Sequence, residues 1–369
     1  MRVVQQSKLF LGLMSGTSLD GLDIALCYFE PEYQLLHSRC FEFPDDIKQR
    51  TLPFMSSQPQ SIDELMILDR DLATFAAEAI LIFLHDHRID PKEVNAIGYH
   101  GQTLRHRPDE GCSLQAGNPN ILAEMTGIDV IADFRRRDLA AGGEGAPLVP
   151  AFHHFLTEKM RRPFALLNLG GIANLSLFTA NGEIQGFDTG PANTLLDQWI
   201  YQHKGVHFDT DGAWAARGTI NQTLLTVLLD EPYFSRSAPK STGRETFNLE
   251  WLNQKLTAFD QLSPEDVQAT LTELTAVTVA AALKQADLTN CQLILCGGGA
   301  KNGYLIERLT THLPDFTIVS SDLLGWSADA MEAAAFAWLA WAFKNKKAGN
   351  IPAVTGAFGE RRLGALYPA

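Results

Sequence analysis

The sequence predicts an α/β protein made of two related halves, each built on a mixed sheet. Three observations carry this. Apolar runs of strand character are followed by runs with helical spacing, and the alternation happens twice along the chain. Each set opens on a glycine-centred turn between apolar runs, Leu11–Asp23 in the first and Leu166–Ser176 in the second. A third glycine run, Cys296–Gly303, follows a strand-like stretch and opens a helical one.

Leu9–Leu13 and Leu22–Phe29 read as paired strands, with Tyr33–Phe43 as a third. Ser61–Asp86 carries Leu65, Leu68, Leu72, Phe75, Ala79 and Ile82 at helical spacing, with Ser61 and Glu64 as a capping box. Val94–Tyr99 returns to a strand that ends in His100-Gly101-Gln102-Thr103. Asn118–Thr126 reads as a helix, and Ile128–Ala132 as a strand ending at Asp133. The second half repeats the scheme with strands at Phe164–Leu169, Ile172–Phe178 and Glu183–Phe187, then helices from Pro191 onwards. Ser263 caps a long helix to about Ala286, with Pro264 in its first turn. Gln292–Leu295 is a strand, Gly303–Leu313 a helix, Phe316–Val319 a strand and Ala328–Phe343 a final helix. Pro232–Phe247 is a long irregular stretch, as expected of a loop over a cleft. The domains expected are 1–130 with about 335–369, and 131–334.

Composition narrows the function. With 46% hydrophobic and 20% charged residues over 369, the chain is globular and has an adequate core. A net charge of −13 argues against non-specific binding of nucleic acid or anionic membranes. Anionic small substrates remain open, because local dipoles and a metal outweigh a distant global field. The longest apolar block, Ala333–Phe343, falls short of the roughly 20 residues of a spanning helix. The first residues carry no apolar core with a cleavage site, so a cytoplasmic protein is expected. Cys27, Cys40, Cys112, Cys291 and Cys296 lack metal-ligand spacing and read as reduced thiols. The pairs His85/His87 and His153/His154 suggest no zinc site.

Both glycine turns expose backbone N–H groups with small hydroxyl or amide side chains, which suits polyphosphate. Two such tips and a strand–glycine–helix element suggest a nucleotide between two halves, and ATP chemistry follows as the first hypothesis. In the first turn, Asp20 or Asp23 could orient Mg²⁺ through water; a turn-stabilising aspartate fits either position alone. Asp188, in Phe187-Asp188-Thr189-Gly190-Pro191, stands at a strand end if Pro191 opens the next helix. A carboxylate there can take a proton from a nucleophile, and it can equally cap the helix. Arg135, Arg136 and Arg137 cannot share one helix face, so at least one should point into a cleft; a solvated charged turn is the other reading. His100, Gln102 and Thr103 suit sugar hydroxyls, and Glu332 is a carboxylate on an otherwise apolar helix.

Four segments, Met14–Gly21, Asp133–Pro150, Asn168–Asn174 and Phe187–Pro191, taken in this order, resemble the anhydro-N-acetylmuramic acid kinases of the sugar kinase/Hsp70/actin superfamily. The resemblance runs from Gly12 to about Ala357. It implies two ribonuclease-H-like domains of the actin/hexokinase type around an ATP cleft, and a homodimer. Similar enzymes use ATP and water to turn 1,6-anhydro-N-acetylmuramic acid into N-acetylmuramic acid 6-phosphate during peptidoglycan recycling. Carried over, Gly16, Thr17, Ser18, Leu19, Asp20, Gly21, Leu22 and Asp23 bind the ATP phosphates, with Mg²⁺ near Asp20. Gly170, Gly171 and Asn174 form the second phosphate hairpin, and Gly297, Gly298 and Gly299 meet the adenosine. Asp188 matches the catalytic base, and Thr103, Arg135 or Arg136, and Glu332 match positions that contact the sugar. Ala192 and Glu144 depart from the family pattern, where glycine and glutamine are usual. A kinase of the same superfamily for another sugar or carboxylate is the nearest alternative. An ATP-driven chaperone-like protein is the alternative of another class.

Overall fold

A computed structural model of the chain describes residues 8–16, 19–56, 59–238, 240–243, 246–286 and 288–369. They divide into two compact units: one runs to Glu158 and resumes over Ala330–Ala369, and the other is Lys159–Asp329. Among the described residues the strands are β1 (Leu9–Ser15), β2 (Gly21–Tyr28), β3 (Gln34–Glu42), β4 (Val94–Arg107), β5 (Cys112–Ala116), β6 (Val130–Ala132), β7 (Phe164–Leu169), β8 (Ile172–Phe178), β9 (Ile184–Pro191), β10 (Gln292–Cys296), β11 (Thr317–Ser320) and β12 (Ala365–Tyr367).

The two sheets share one plan. In the first unit β1, β2 and β3 form an antiparallel meander, β4 lies parallel to β1, and β6 lies parallel to β4. The order is β12-β6-β4-β1-β2-β3, with β5 paired to the far part of β4. In the second unit β7, β8 and β9 form the meander, and β10 and β11 continue in parallel, giving β11-β10-β7-β8-β9. The expected class, two ribonuclease-H-like α/β units with mixed sheets, is therefore the fold of this chain.

The first sheet is covered on both faces, and its central strand is apolar almost throughout, as burial on both sides requires. Leu9, Leu11 and Leu13 join a core with Leu68, Leu72, Ala76 and Ile80 of the helix Ile62–His87. Against the other face lies the helix Met331–Lys344. Gly12 and Gly98 are register partners on adjacent strands and together make its seat. A Cβ on Gly12 would stand 1.8 Å from the Ala333 carbonyl oxygen, and one on Gly98 1.9 Å from that of Phe336. Backbone lies against backbone here, so only glycine fits. In the second unit Leu167, Leu169, Leu175 and Leu177 pack with Ala276, Val279 and Leu283 of the helix Pro264–Gln285. Ser263 caps this helix as expected, accepting from the Asp266 N–H.

Several element boundaries differ from the sequence reading. β4 does not end at Tyr99 but continues to Arg107, because β5 pairs with residues 102–107 and extends the ladder. β9 runs through Asp188 to Pro191, and the next helix begins only at Asn193. Pro191 is thus the last strand residue, opposite Ile172, and not the first of a helix. The Gly298–Lys301 segment is a short 3₁₀ turn, and Asn302 caps the helix Gly303–His312 that follows. The last helix starts at Met331 rather than Ala328. Residues 131–158, expected beyond the boundary near 130, cluster with the first unit, where β6 pairs with β4 and β12.

The glycine seat gives a direct test. Gly98→Ala should destabilise the protein by about 1–3 kcal/mol through forced displacement of the helix. Thermal unfolding would read this as a midpoint several degrees lower.

Candidate functional site

In the second unit three segments far apart in sequence converge on the tip of the β7–β8 hairpin. The N–H groups of Ala192 and Thr194 both donate to the Gly171 carbonyl at 3.0 Å, and that of Asn193 to Gly170 at 3.0 Å. The first amides of the helix Asn193–Lys204 are therefore committed to the hairpin's carbonyls. Asn193 also donates its side-chain amide to the Leu169 carbonyl at 3.0 Å. Its Oδ1 lies near Gly299, where a Cβ would stand 3.1 Å from it and 2.7 Å from Leu169 Cβ. Gly297 has a φ of +79°, and a side chain there would meet the Asn168 amide oxygen at 2.4 Å. Gly297 and Gly299 thus pack against Asn168 and Leu169 beside the hairpin, and Gly299 is buried.

The same hairpin carries the support of Asp188. Its Oδ1 accepts from Asn174 Nδ2 at 2.8 Å and its Oδ2 from the Thr242 backbone N–H at 3.0 Å. The backbone of Asp188 is held as well: its N–H donates to the Lys240 carbonyl at 3.1 Å, and its carbonyl accepts from Tyr233 Oη at 2.8 Å. Tyr233 and Phe247 are buried in an aromatic cluster with Phe234 and Trp251. The described part of Pro232–Phe247 is therefore anchored and supports Asp188, where the sequence reading saw only a loop over a cleft. Tyr233, Lys240 and Thr242 carried no sequence signal, since their roles arise from contacts some fifty residues away along the chain. These hydrogen bonds fix the orientation of the carboxylate.

Ala192 fits its position. Its φ is −121° and it is buried, so the extra methyl meets no left-handed backbone.

In the first unit the β1–β2 turn holds Gly16, Leu19, Asp20, Gly21, Leu22 and Asp23; Thr17 and Ser18 lie outside the described residues. Leu19 is buried at a φ of 59°, its N–H donating to the Gly16 carbonyl. Asp20 is exposed, and its carbonyl accepts from the Phe43 N–H at 3.4 Å. Asp23 is half-buried opposite Cys40, whose thiol burial and the neighbouring Asp23 push up to about 12.

The arginine run separates as a short helix, Phe134–Leu139, requires. Arg135 turns inward: Nε donates to His100 Nε2 at 3.0 Å and a terminal nitrogen to the Gly145 carbonyl at 2.8 Å. Arg136 lies on the exposed face, ion-paired with Asp133 at 2.6 Å, and Arg137 is exposed. His100 also packs its ring on Phe336, at 4.6 Å between centroids. Glu332 stands one turn before Phe336, on the same helix face. Thr103 is half-buried, and its hydroxyl accepts from Gln115 at 3.2 Å.

Asp138 was not legible as a centre, yet it is fully buried and organises the glycine loop. One oxygen accepts from the Gly145 N–H, the other from the Asn350 amide and the Thr355 hydroxyl. A side chain on Gly143 would strike it at 2.2 Å, which is why this loop is glycine-rich. Glu144 is half-buried, its N–H donating to the Thr355 carbonyl at 2.7 Å.

Burial, with the Arg135 guanidinium second, drives His100 well below the usual imidazole range and His106 down to about 4. Burial alone lowers His153 to about 3. Neutral His100 can therefore accept from Arg135 at neutral pH. In the unfolded chain these imidazoles take up protons near pH 6.5, whereas the folded state resists. Between about pH 6.5 and 4 the unfolded state binds more protons, so stability should fall as pH drops through that window. Denaturant titrations at stepped pH should show it; a flat profile would mean the three histidines titrate alike in both states.

Comparison with known proteins follows the same lines. The family model described as anhydro-N-acetylmuramic acid kinase matches residues 8–369. The chain is 48% identical to the anhydro-N-acetylmuramic acid kinase of Pseudomonas putida, over 98% of this chain and 99% of that one. It is 47% identical to that of Pasteurella multocida, over 97% and 96%. Among solved structures, component A of the (R)-2-hydroxyglutaryl-CoA dehydratase of Acidaminococcus fermentans superposes with a TM-score of 0.46 at 11% identity, over 89% of this chain and 96% of that one.

Proposed function

The chain belongs to the anhydro-N-acetylmuramic acid kinase family, an ATP-dependent sugar kinase family, and we propose that Asp188 is the base of its reaction. The reaction consumes 1,6-anhydro-N-acetylmuramic acid, ATP and water and yields N-acetylmuramic acid 6-phosphate and ADP. In the anhydro sugar O6 is bonded to C1, so no free hydroxyl is available to phosphorylate. Asp188 takes a proton from water as that water's oxygen bonds to C1. The C1–O6 bond breaks, and O6 then attacks the γ-phosphorus, releasing ADP. The proton remaining on Asp188 passes to solvent, so atoms and charge balance.

The observation that carries this reading is the anchoring of the Asp188 carboxylate through both oxygens, one of them on the glycine hairpin itself. A base must be held in place to take a proton efficiently. The glycine segments support binding of the triphosphate. A Cβ on Gly170 would stand 3.6 Å from the nearest atom and one on Gly298 3.8 Å, ordinary contact distances, so neither position is crowded by its neighbours. We assign phosphate contacts to Gly170, Gly171 and Asn174, adenosine contacts to Gly297–Gly299, and further phosphate contacts to residues 16–23. Mg²⁺, held near Asp20 through water, would spread charge on the transferring phosphoryl group. Arg135, Thr103 and Glu332 are assigned to the sugar, with Arg135 facing its lactyl carboxylate; Arg136 is the weaker candidate because it is committed to Asp133. A cytoplasmic homodimer completes the proposal, and sedimentation of the purified chain tests the dimer.

Asp188→Asn should retain ATP binding and lose turnover by several orders of magnitude. Asn174 can turn its amide and offer oxygen to the new NH₂, so the fold should survive. Near-normal turnover in this variant would assign the base elsewhere.

Arg135→Ala should raise the sugar KM by about 10-fold or more, with little change for ATP, because a charge-assisted contact is lost. Arg136→Ala should do much less. Equal effects on both substrates would move Arg135 to the nucleotide side.

A further inference from the structure

The second unit contains a cavity of about 260 Å³ that the reaction does not use. It lies beside β9, Phe234, Arg236, Ala238 and Lys240, and the C-terminal half of the helix Pro264–Gln285. Its volume sits just below the range of about 300–1,000 Å³ usual for small-molecule sites, which limits a ligand to about one ring. Phe187, Phe234 and Ala281 supply apolar wall, while Lys240 and Arg236 both line the space. Among the described residues no carboxylate lines it, although the chain carries a net charge of −13. Two cations gathered on one cavity in such an acidic chain are a recognition feature for an anion.

Lys240 is 8% exposed, an unusual place for an ammonium group. Its Nζ donates to the carbonyls of Tyr233 and Phe234, each at 3.4 Å, and lies 4.8 Å from the Tyr233 ring centre. Such long bonds to neutral acceptors leave the charge weakly compensated, so an incoming anion would gain strongly from it. Burial, then the neighbouring Arg236, lowers the basicity of this amine; Asp188 acts the other way.

The same segment holds Asp188. The Lys240 carbonyl accepts from the Asp188 N–H, Thr242 donates to its carboxylate, and Tyr233 donates to its carbonyl. We propose that the cavity binds a small organic anion, a one-ring phosphate monoester or carboxylate, and that this ligand slows turnover by drawing Lys240 away from its support of Asp188. The binding claim stands on the cavity alone; the effect on turnover rests on the assignment of Asp188 as base.

Calorimetry on the full chain tests the binding, with phenyl phosphate and benzoate as probes that distinguish the two head groups. One of them should bind, and benzyl alcohol and inorganic phosphate, lacking charge or ring, should bind at least ~10-fold more weakly. Ala281→Trp, which fills the mouth, should abolish binding and leave basal turnover unchanged. Lys240→Met should weaken binding ~10-fold. At saturating sugar and ATP the bound probe should lower kcat several-fold in the native chain and leave Ala281→Trp unaffected. The proposal is overturned by absence of binding of both probes, by binding that survives Ala281→Trp, or by a kcat that does not move at saturation. Because binding is measured without turnover, loss of the base assignment through an active Asp188→Asn would leave the cavity's own test intact.

Discussion

Three consecutive amides, those of Ala192, Asn193 and Thr194, close onto two carbonyls at the tip of one hairpin, and much of the second unit's chemistry depends on this junction. It fixes where β9 stops, since the chain cannot enter a helix before it has passed the tip. It also decides what an anion can meet. A helix start normally offers its free N–H groups to phosphate, but here those groups already have partners. Beside this junction Gly171 and Gly298 are exposed and Gly170 is half-buried. Asn193 ties this hairpin to the third glycine run, so the three motifs work as a single rigid element.

The first unit solves a related problem differently, with a buried carboxylate. Asp138 accepts from the nearby Gly145 amide and from an asparagine and a threonine more than 200 residues later in the chain. A buried charge is tolerable only when its oxygens are satisfied, and here they are. The arrangement sets the glycine loop whose Gly145 carbonyl receives Arg135. His100 contributes the second acceptor, made possible by an imidazole kept neutral through burial. Arg135 is thus oriented by two partners within the first unit.

Most of the architecture was legible in the sequence because it rests on local chemistry. The Ser61 and Ser263 caps, the two glycine turns and the apolar strands β1 and β7 each declare themselves within a few residues. The strand ends did not. β4 extends past His100 because β5 pairs with it, and Pro191 stays extended because the hairpin tip claims the amides that follow. Of the site, Asp188 and the glycines were visible as motifs, and the split of the arginine run followed from helical geometry. Which arginine turns inward depends on His100 and Gly145, and Asp138 looked like one more charge in a polar run. Tyr233, Lys240 and Thr242 act on Asp188 from beyond β9. Contacts made at such separations leave no periodicity behind.

The order in which the chain leaves the ribosome gives the split unit a particular history. Lys159–Asp329 is contiguous and can close as soon as it has emerged, whereas the strands that precede it stay half covered. Gly12 and Gly98 have no helix to receive until Met331–Lys344 is made, and β6 keeps an open edge until Ala365–Tyr367 arrives. Until those two segments are made, the first unit therefore keeps an apolar face and a strand edge uncovered. An interrupted message would release a product whose earlier-made half is the incomplete one, ready for capture by chaperones or proteases.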